Sequence, residues 1–263
     1  KSACTHKVKV MTAGAPPPPS VLEQIEKLGF EVTQVYGLTE TYGHVVHCAW
    51  NSDWESLDFS ERAKIKAQQG VQFPHTEDVE IIDLQTKLPV PADGVSKGEI
   101  MIQSNTIMKG YHKDPDATEK AFSGDHFHSG DIAVRHPNGY IEIQDRLKDV
   151  IISGGENISS IEIEDCLYSH PAVAACAVVA KPDTKWGEIP CAFIELKSHN
   201  AVTSDALIDH CRANLAAFKV PEKIFISETP LERNAAGKLL AKKIKFRKPL
   251  QPKLRKGIVN WSN

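Results

Sequence analysis

Glu142-Ile-Gln-Asp-Arg-Leu-Lys-Asp-Val-Ile-Ile-Ser-Gly-Gly-Glu-Asn-Ile-Ser-Ser-Ile-Glu-Ile-Glu164 is the stretch on which the chain turns from one kind of segment to another. Gly139 to Gln144 alternates apolar and polar residues, the two-residue period of a half-buried strand. Charges at Asp145, Arg146, Lys148 and Asp149 break the run in a turn, and Val150 to Ile152 resumes as a short apolar strand. Ser153-Gly154-Gly155 supplies a permissive backbone. Ser159 or Ser160 can then cap a helix whose first turn carries Glu162 and Glu164, carboxylates suited to the positive end of the helix dipole. The stretch reads as a joint: short strands with turn signals before it, a separate small domain of helices and strands after it.

Upstream, Val8 to Met11 is a short buried strand running into Thr12-Ala-Gly-Ala-Pro-Pro-Pro-Pro19, where the prolines and Gly14 force a loop. Ser20 is expected to cap a helix through Leu28 that stops at Gly29, and Glu31 to Tyr36 reads as a second strand. Strand, helix, strand is a βαβ unit of a parallel sheet, and ligands of such sheets sit beyond the carboxyl ends of the strands. Here those ends are followed by Ala13-Gly14-Ala15 and by Gly37-Leu38-Thr39-Glu40-Thr41. Hydroxyls and a carboxylate at a strand end suit a phosphate-bound divalent cation, although an ordinary surface turn fits the same residues.

Between this unit and the joint, residues 51–69 read as a loop with a short helix at Glu61 to Gln68. Residues 71–135 alternate short strands and turns, with strands at Val79 to Asp83 and Glu99 to Gln103 and a short helix capped by Asp114. In Phe127-His-Ser-Gly-Asp131 a carboxylate projecting after a glycine suits a ribose diol, and equally an Asx-turn. After the joint come a helix at Glu162 to Ser169, strands at Ala172 to Ala180 and Cys191 to Lys197, an amphipathic helix at Ser204 to Leu215 and a strand at Lys223 to Ile226. Leu231-Glu-Arg-Asn-Ala-Ala-Gly-Lys238 is a loop entering a final basic helix, with Lys238 at its tip able to deliver a point charge to an anion.

Composition narrows the function. The 263 residues, 41% hydrophobic, suffice for more than one domain, and 31 basic against 34 acidic residues is not the balance of a dedicated nucleic-acid binder. No apolar run reaches membrane-spanning length, and the first residues are not a signal peptide. Six scattered cysteines without paired spacing suggest free thiols in a reducing, cytoplasmic setting, and Trp261-Ser-Asn263 is not the Ser-Lys-Leu peroxisomal address. Gly237-Lys238 lacks the following Ser or Thr of a Walker A loop, and His44, His47 and Cys48 lack a second ligand pair for zinc.

Taken together the loops carry more than any one does. Tyr36-Gly-Leu-Thr-Glu-Thr41, Phe127-His-Ser-Gly-Asp131, Asp145-Arg-Leu-Lys-Asp149 with Ser153-Gly-Gly-Glu-Asn157, and Asn234-Ala-Ala-Gly-Lys238 resemble, in order, the Y-G-x-T-E, S/T-G-D, hinge and C-terminal lysine motifs of the adenylate-forming (AMP-binding) superfamily. Glu40-Thr-Tyr-Gly, His47-Cys-Ala-Trp50, Met108-Lys-Gly-Tyr111 and Ile152 to Ser160 look most like its acid:CoA ligases of short- and medium-chain or aryl acids. The resemblance implies an α/β fold in three parts: residues 1–70 as the end of a parallel-sheet subdomain, 71–147 as a small β-barrel-like subdomain, and 148–263 as a mobile α+β domain.

It also implies a two-step reaction in which a carboxylate attacks the α-phosphate of ATP with Mg²⁺, and CoA then takes the acyl group from the acyl-adenylate. By resemblance, Gly14 and Ala15 line the adenine with Tyr36 stacking nearby, Gly37 belongs to the nucleotide loop, Thr39 binds phosphate, and Glu40 holds Mg²⁺. Asp131 takes the ribose with Arg146 beside it, Lys148 is the hinge, and Asn157 approaches the nucleotide. Lys238 bridges the carboxylate and the α-phosphate, and Gly154 and Gly155 make room for CoA. The superfamily's glycine- and Ser/Thr-rich phosphate loop has no counterpart in these residues, which leads to the expectation of a portion of a synthetase unable to adenylate at a normal rate alone, its partner a missing N-terminal portion. A truncated, non-catalytic binding or regulatory module is the alternative.

Overall fold

Val8–Thr12 (β1) and Phe30–Leu38 (β2) pair in parallel, Val10 opposite Val32, with Pro19–Lys27 (α1) crossing between them. These residues belong to a computed structural model, which describes residues 6, 8–14, 17–122, 124–198, 202–233 and 239. The βαβ unit is as expected, except that Pro18 rather than Ser20 precedes the helix and Pro19 occupies its first turn. A proline costs nothing there because its missing N–H has no helical partner.

The sheet then departs from a purely parallel one. Gly43–His47 (β3) and Val71–Gln72 (β4) add antiparallel strands, giving the order β1-β2-β3-β4. Gly37 faces His44 across the β2–β3 turn, and a Cβ there would lie 1.9 Å from the Gly43 carbonyl oxygen, so only glycine allows the strands to close. Phe59–Ala67 (α2) starts two residues earlier than expected. Asp58 accepts from Glu61 N–H while the Glu61 side chain reaches back, a capping box. Leu22, Val32 and Ala63 form the core between α1, β2 and α2.

The second sheet is an open antiparallel meander, not a closed barrel: Asp78–Ile82 (β5), Lys97–Gln103 (β6), Phe127–Arg135 (β7) and Ile141–Arg146 (β8). Pro115–Ala121 (α3), capped by Asp114, connects β6 to β7. Its core is shared with the first sheet, because Tyr36, Val45 and Val46 pack with Val79, Ile81, Ile100, Ile102, Phe127 and Ile141. Gly70 and Ile141 bridge the two sheets through backbone hydrogen bonds in both directions.

Past the joint, Ile151–Ser153 (β9) and Glu156–Ile158 (β10) form a hairpin around Gly154-Gly155, both glycines at positive φ. Ser160–Ser169 (α4) follows, with Ser159 resolved as its cap by accepting from Glu162 N–H. Val173–Asp183 (β11) and Gly187–Leu196 (β12) make a long hairpin, Ser204–Asn214 (α5) packs on it, and Lys223–Ile226 (β13) lies parallel to β12. Ile158, Ile163, Leu167, Val178, Ile194 and Leu207 fill this third core. Asp145, at the end of β8, reaches across the joint: its Oδ2 accepts from Ser160 N–H at 2.5 Å and its Oδ1 from the Ser160 hydroxyl at 3.2 Å. A cleft of about 320 Å³ lies beside this crossing, lined by Lys64 and Gln68, by Glu142 and Gln144, and by Glu162 and Asp165. Residues 240–263, where a basic helix is expected, lie outside the described residues.

Candidate active site

Strand β2 carries the first half of the site. Val32, Val35 and Tyr36 are buried along it, and the Tyr36 hydroxyl donates to Asp131 Oδ2 at 2.8 Å. The ring is a member of the core, and the hydroxyl reaches Asp131. Burial, and next the charge of Asp131, push the Tyr36 phenol well above its ordinary value, so it stays a donor.

Asp131 is positioned by β7 and β8. It stands opposite Arg146 in the antiparallel register, and Arg146 Nε lies 3.4 Å from Asp131 Oδ1. A carboxylate only 8% exposed is thus held from two sides, by a phenol and a guanidinium 38% exposed. The turn before it is also fixed: Ser129 Oγ donates to Ile100 O at 2.6 Å and accepts from Asp131 N–H at 3.1 Å.

At the end of β2 the two threonines separate in role. Thr41 is buried, its hydroxyl accepting from Leu38 N–H at 2.9 Å and lying 2.7 Å from Gly43 O, so it builds the turn. Thr39 is exposed at the same turn. Glu40 Oε1 accepts from the Tyr111 hydroxyl at 3.1 Å, and Glu40 O accepts from Met108 N–H at 2.7 Å. Tyr111 is itself held by its N–H on Thr118 Oγ1 at 2.9 Å. Thr39 and Glu40 are hard oxygen donors on one short turn, which fits a magnesium ion that keeps most of its water.

The remaining residues fall into separate groups. Gly14 lies in the bend after β1, while Ala15 and Lys238 are outside the described residues. Lys148 is exposed in the turn after β8, where Leu147 N–H donates to Gly130 O at 2.8 Å and so joins the Ser-Gly-Asp turn to the segment carrying Lys148. Gly154, Gly155 and Asn157 belong to the third sheet, with Asn157 paired to Ile152 and exposed. Gly154 N–H donates to Trp186 O at 2.8 Å, and Lys185 Nζ lies 4.5 Å over the Trp186 ring. His44 and His47 pack edge-on against Phe73 at 4.2 and 5.0 Å, whereas the Cys48 thiol faces Ile65 O on α2, so the three do not converge on a metal. Ser129 and Tyr111 lie in stretches that the sequence marks, but the contacts they make, and the place of Trp186 beside the Gly154–Gly155 hairpin, emerge only from three-dimensional proximity.

The family described as AMP-binding enzyme matches residues 1–112, and the AMP-binding enzyme C-terminal domain matches residues 162–238. The acetate–CoA ligase CCL3 of Humulus lupulus is 50% identical over 239 residues, covering 89% of this chain and 42% of that protein. The peroxisomal acetate/butyrate–CoA ligase AAE7 of Arabidopsis thaliana is 51% identical over 240 residues, covering 89% of this chain and 42% of its own length. The chain therefore spans about two-fifths of the length of these curated relatives. Among solved structures, Bacillus subtilis O-succinylbenzoate CoA synthetase in complex with ATP and magnesium superposes with a TM-score of 0.75 at 31% identity, over 92% of this chain and 47% of that one. The anthranilate CoA ligase AuaEII with anthranoyl-AMP gives 0.75 at 25% identity, over 90% and 43%. The chain belongs to the AMP-binding, adenylate-forming enzyme family, in the branch of the acyl-CoA ligases.

Proposed function

We propose that this chain carries the nucleotide-handling and thioester-forming parts of an ATP-dependent, AMP-forming acid:CoA ligase acting on small carboxylic acids. The observation that supports it best is the buried Asp131 carboxylate oriented by Tyr36 and Arg146, with the Thr39–Glu40 turn at the end of the same strand. In this reading Asp131 accepts from the two ribose hydroxyls and Arg146 adds positive charge beside the nucleotide. Thr39 binds phosphate, and Glu40 holds Mg²⁺, which supplies charge neutralisation on the phosphate oxygens.

Gly14, Ala15 and Gly37 border the base, and Asn157 approaches the nucleotide. Lys238 offsets charge building on the α-phosphate as the carboxylate attacks. Rotation at Lys148 exchanges Lys238 for the Gly154–Gly155 hairpin, whose missing side chains leave a path for the CoA arm. The names of the relatives, acetate, butyrate and 2-methylpropanoate ligases, support a short aliphatic acid. A cytoplasmic site, expected from the sequence, belongs to the same proposal.

The test supplies the intermediate directly. The purified protein is mixed with CoA and chemically made acetyl-, butyryl- or benzoyl-adenylate, and acyl-CoA is followed by mass spectrometry. This half-reaction requires no grip on the outer phosphates. Thioester formation above the uncatalysed rate, lost in D131A, is expected; no binding of any acyl-adenylate would overturn the proposal.

A further inference from the structure

Glu99 is a carboxylate with no place in the reaction outlined above, and it is 7% exposed on β6. Burying an ion is costly unless its oxygens are engaged, and both of these are. Oε1 accepts from Gly130 N–H at 3.0 Å, and Oε2 lies 3.0 Å from His128 Nδ1. Gly130 is the residue before Asp131, and its carbonyl is gripped from the opposite side by Leu147 N–H at 2.8 Å. Both peptides that meet at Gly130 are therefore held, the one before it at its N–H by Glu99 and the one leading into Asp131 at its carbonyl by the segment carrying Arg146.

We propose that Glu99 is the positioning residue for ribose recognition, acting through Gly130 on the direction of the Asp131 carboxylate; this rests on the reading of Asp131 as the ribose acceptor. The charge-assisted bond to Gly130 N–H fixes the turn against the strand β6, so Asp131 meets Tyr36 and Arg146 in one orientation. Releasing that N–H lets the peptide plane rotate, which moves the carboxylate without removing it. Selectivity for the ribose hydroxyls then falls more than affinity for base and phosphate.

The experiment is calorimetric titration of the purified protein with AMP and with 2′,3′-dideoxy-AMP, taking the ratio of the two dissociation constants. Wild type is expected to prefer AMP by about tenfold or more, the worth of hydrogen bonds to a charged acceptor. E99A, and E99D whose shorter arm falls short of Gly130, are expected to lose about fivefold of that preference. E99Q is expected to keep it, because its amide oxygen accepts from Gly130 N–H while its amide nitrogen takes the place of Oε2 beside His128. Circular dichroism checks that each variant is folded, and the E99D–E99Q pair decides the matter should E99A unfold.

An unchanged ratio in folded E99D, or equal losses for both nucleotides, overturns the positioning role. A wild type with no preference, matched by D131A, overturns the ribose reading itself and this role with it.

Discussion

The hydroxyl of Tyr36 donates to Oδ2 of Asp131 at 2.8 Å, tying together two motif residues 95 positions apart. Y36F removes the donor while leaving the ring in its core. A buried carboxylate oxygen losing a partner costs about 1–3 kcal/mol, which urea unfolding reads directly. AMP affinity should fall with it, because Asp131 then loses one of the groups that orient it. An unfolding midpoint equal to wild type, with unaltered AMP binding, would show that this bond carries no weight.

Tyr111 and Glu40 form the corresponding pair at the Thr39–Thr41 turn, proposed above to bind phosphate and Mg²⁺. In Y111F the Glu40 carboxylate loses its oriented donor at a partly exposed position, so stability should change by less than about 1 kcal/mol. The effect belongs in ligand binding: the gain in ATP affinity on adding Mg²⁺ should shrink, by about threefold to tenfold for one lost hydrogen bond. Titrations of ATP with and without Mg²⁺ measure it, and an identical Mg²⁺ dependence in the variant would separate Tyr111 from the turn's function.

Stability should fall as the pH rises from weakly acidic to weakly basic. Burial pushes the Glu164 carboxyl up to about 8, against the opposing bond from Val178 N–H, with Asp145, Asp165 and Asp149 adding repulsion. Burial, then Glu142 and Glu162, push Asp165 up to about 7. The folded state thus holds protons that the unfolded chain has released, and the stability these acids favour is complete below the unfolded carboxylate pKa and is lost as the pH climbs through about 7 to 8. E164Q should flatten that decline, by on the order of 2 kcal/mol between about pH 5 and 8. Urea midpoints across that range test the sign; a stability that rises with pH in wild type would contradict it.

Gly154 and Gly155 should respond unequally to alanine. Gly154 has φ +59°, and a Cβ there would sit 2.8 Å from a Trp186 ring carbon; Gly155, at φ +90°, has open space. G155A should cost about 1 kcal/mol of backbone strain alone, and G154A should cost more unless the indole moves. Adding W186A to G154A should return part of the loss, so a double-mutant cycle by chemical denaturation will give a non-zero coupling. Strict additivity would mean that the ring gives way without cost.

Much of this architecture is legible in the order of the residues, and the exceptions have physical causes. The βαβ start, the short strand before Gly154-Gly155 and the helix capped at Ser159 or Ser160 follow local rules, strand period and hydroxyl capping, whereas the returning strand Glu156–Ile158 has no such signal. Local rules also misplace two helix starts, since Pro18 and Asp58 begin their helices earlier than Ser20 or Glu61 would.

Thr39 and Thr41 look alike in sequence, and only the closure of Gly37 on Gly43 shows that one hydroxyl is spent on the turn. That the second sheet packs its core against the Tyr36 ring is a long-range fact absent from any window of residues. The extra antiparallel strands β3 and β4 arise the same way, from pairing partners fixed in three dimensions.

The crossing made by Asp145 has a mechanical meaning. Its carboxylate sits on one side of Lys148 and Ser160 on the other, so the two bonds span the backbone between them. On the proposal that Lys148 is the hinge, both bonds would have to break before the chain could turn there, which would make the Asp145–Ser160 clasp a latch set across the pivot.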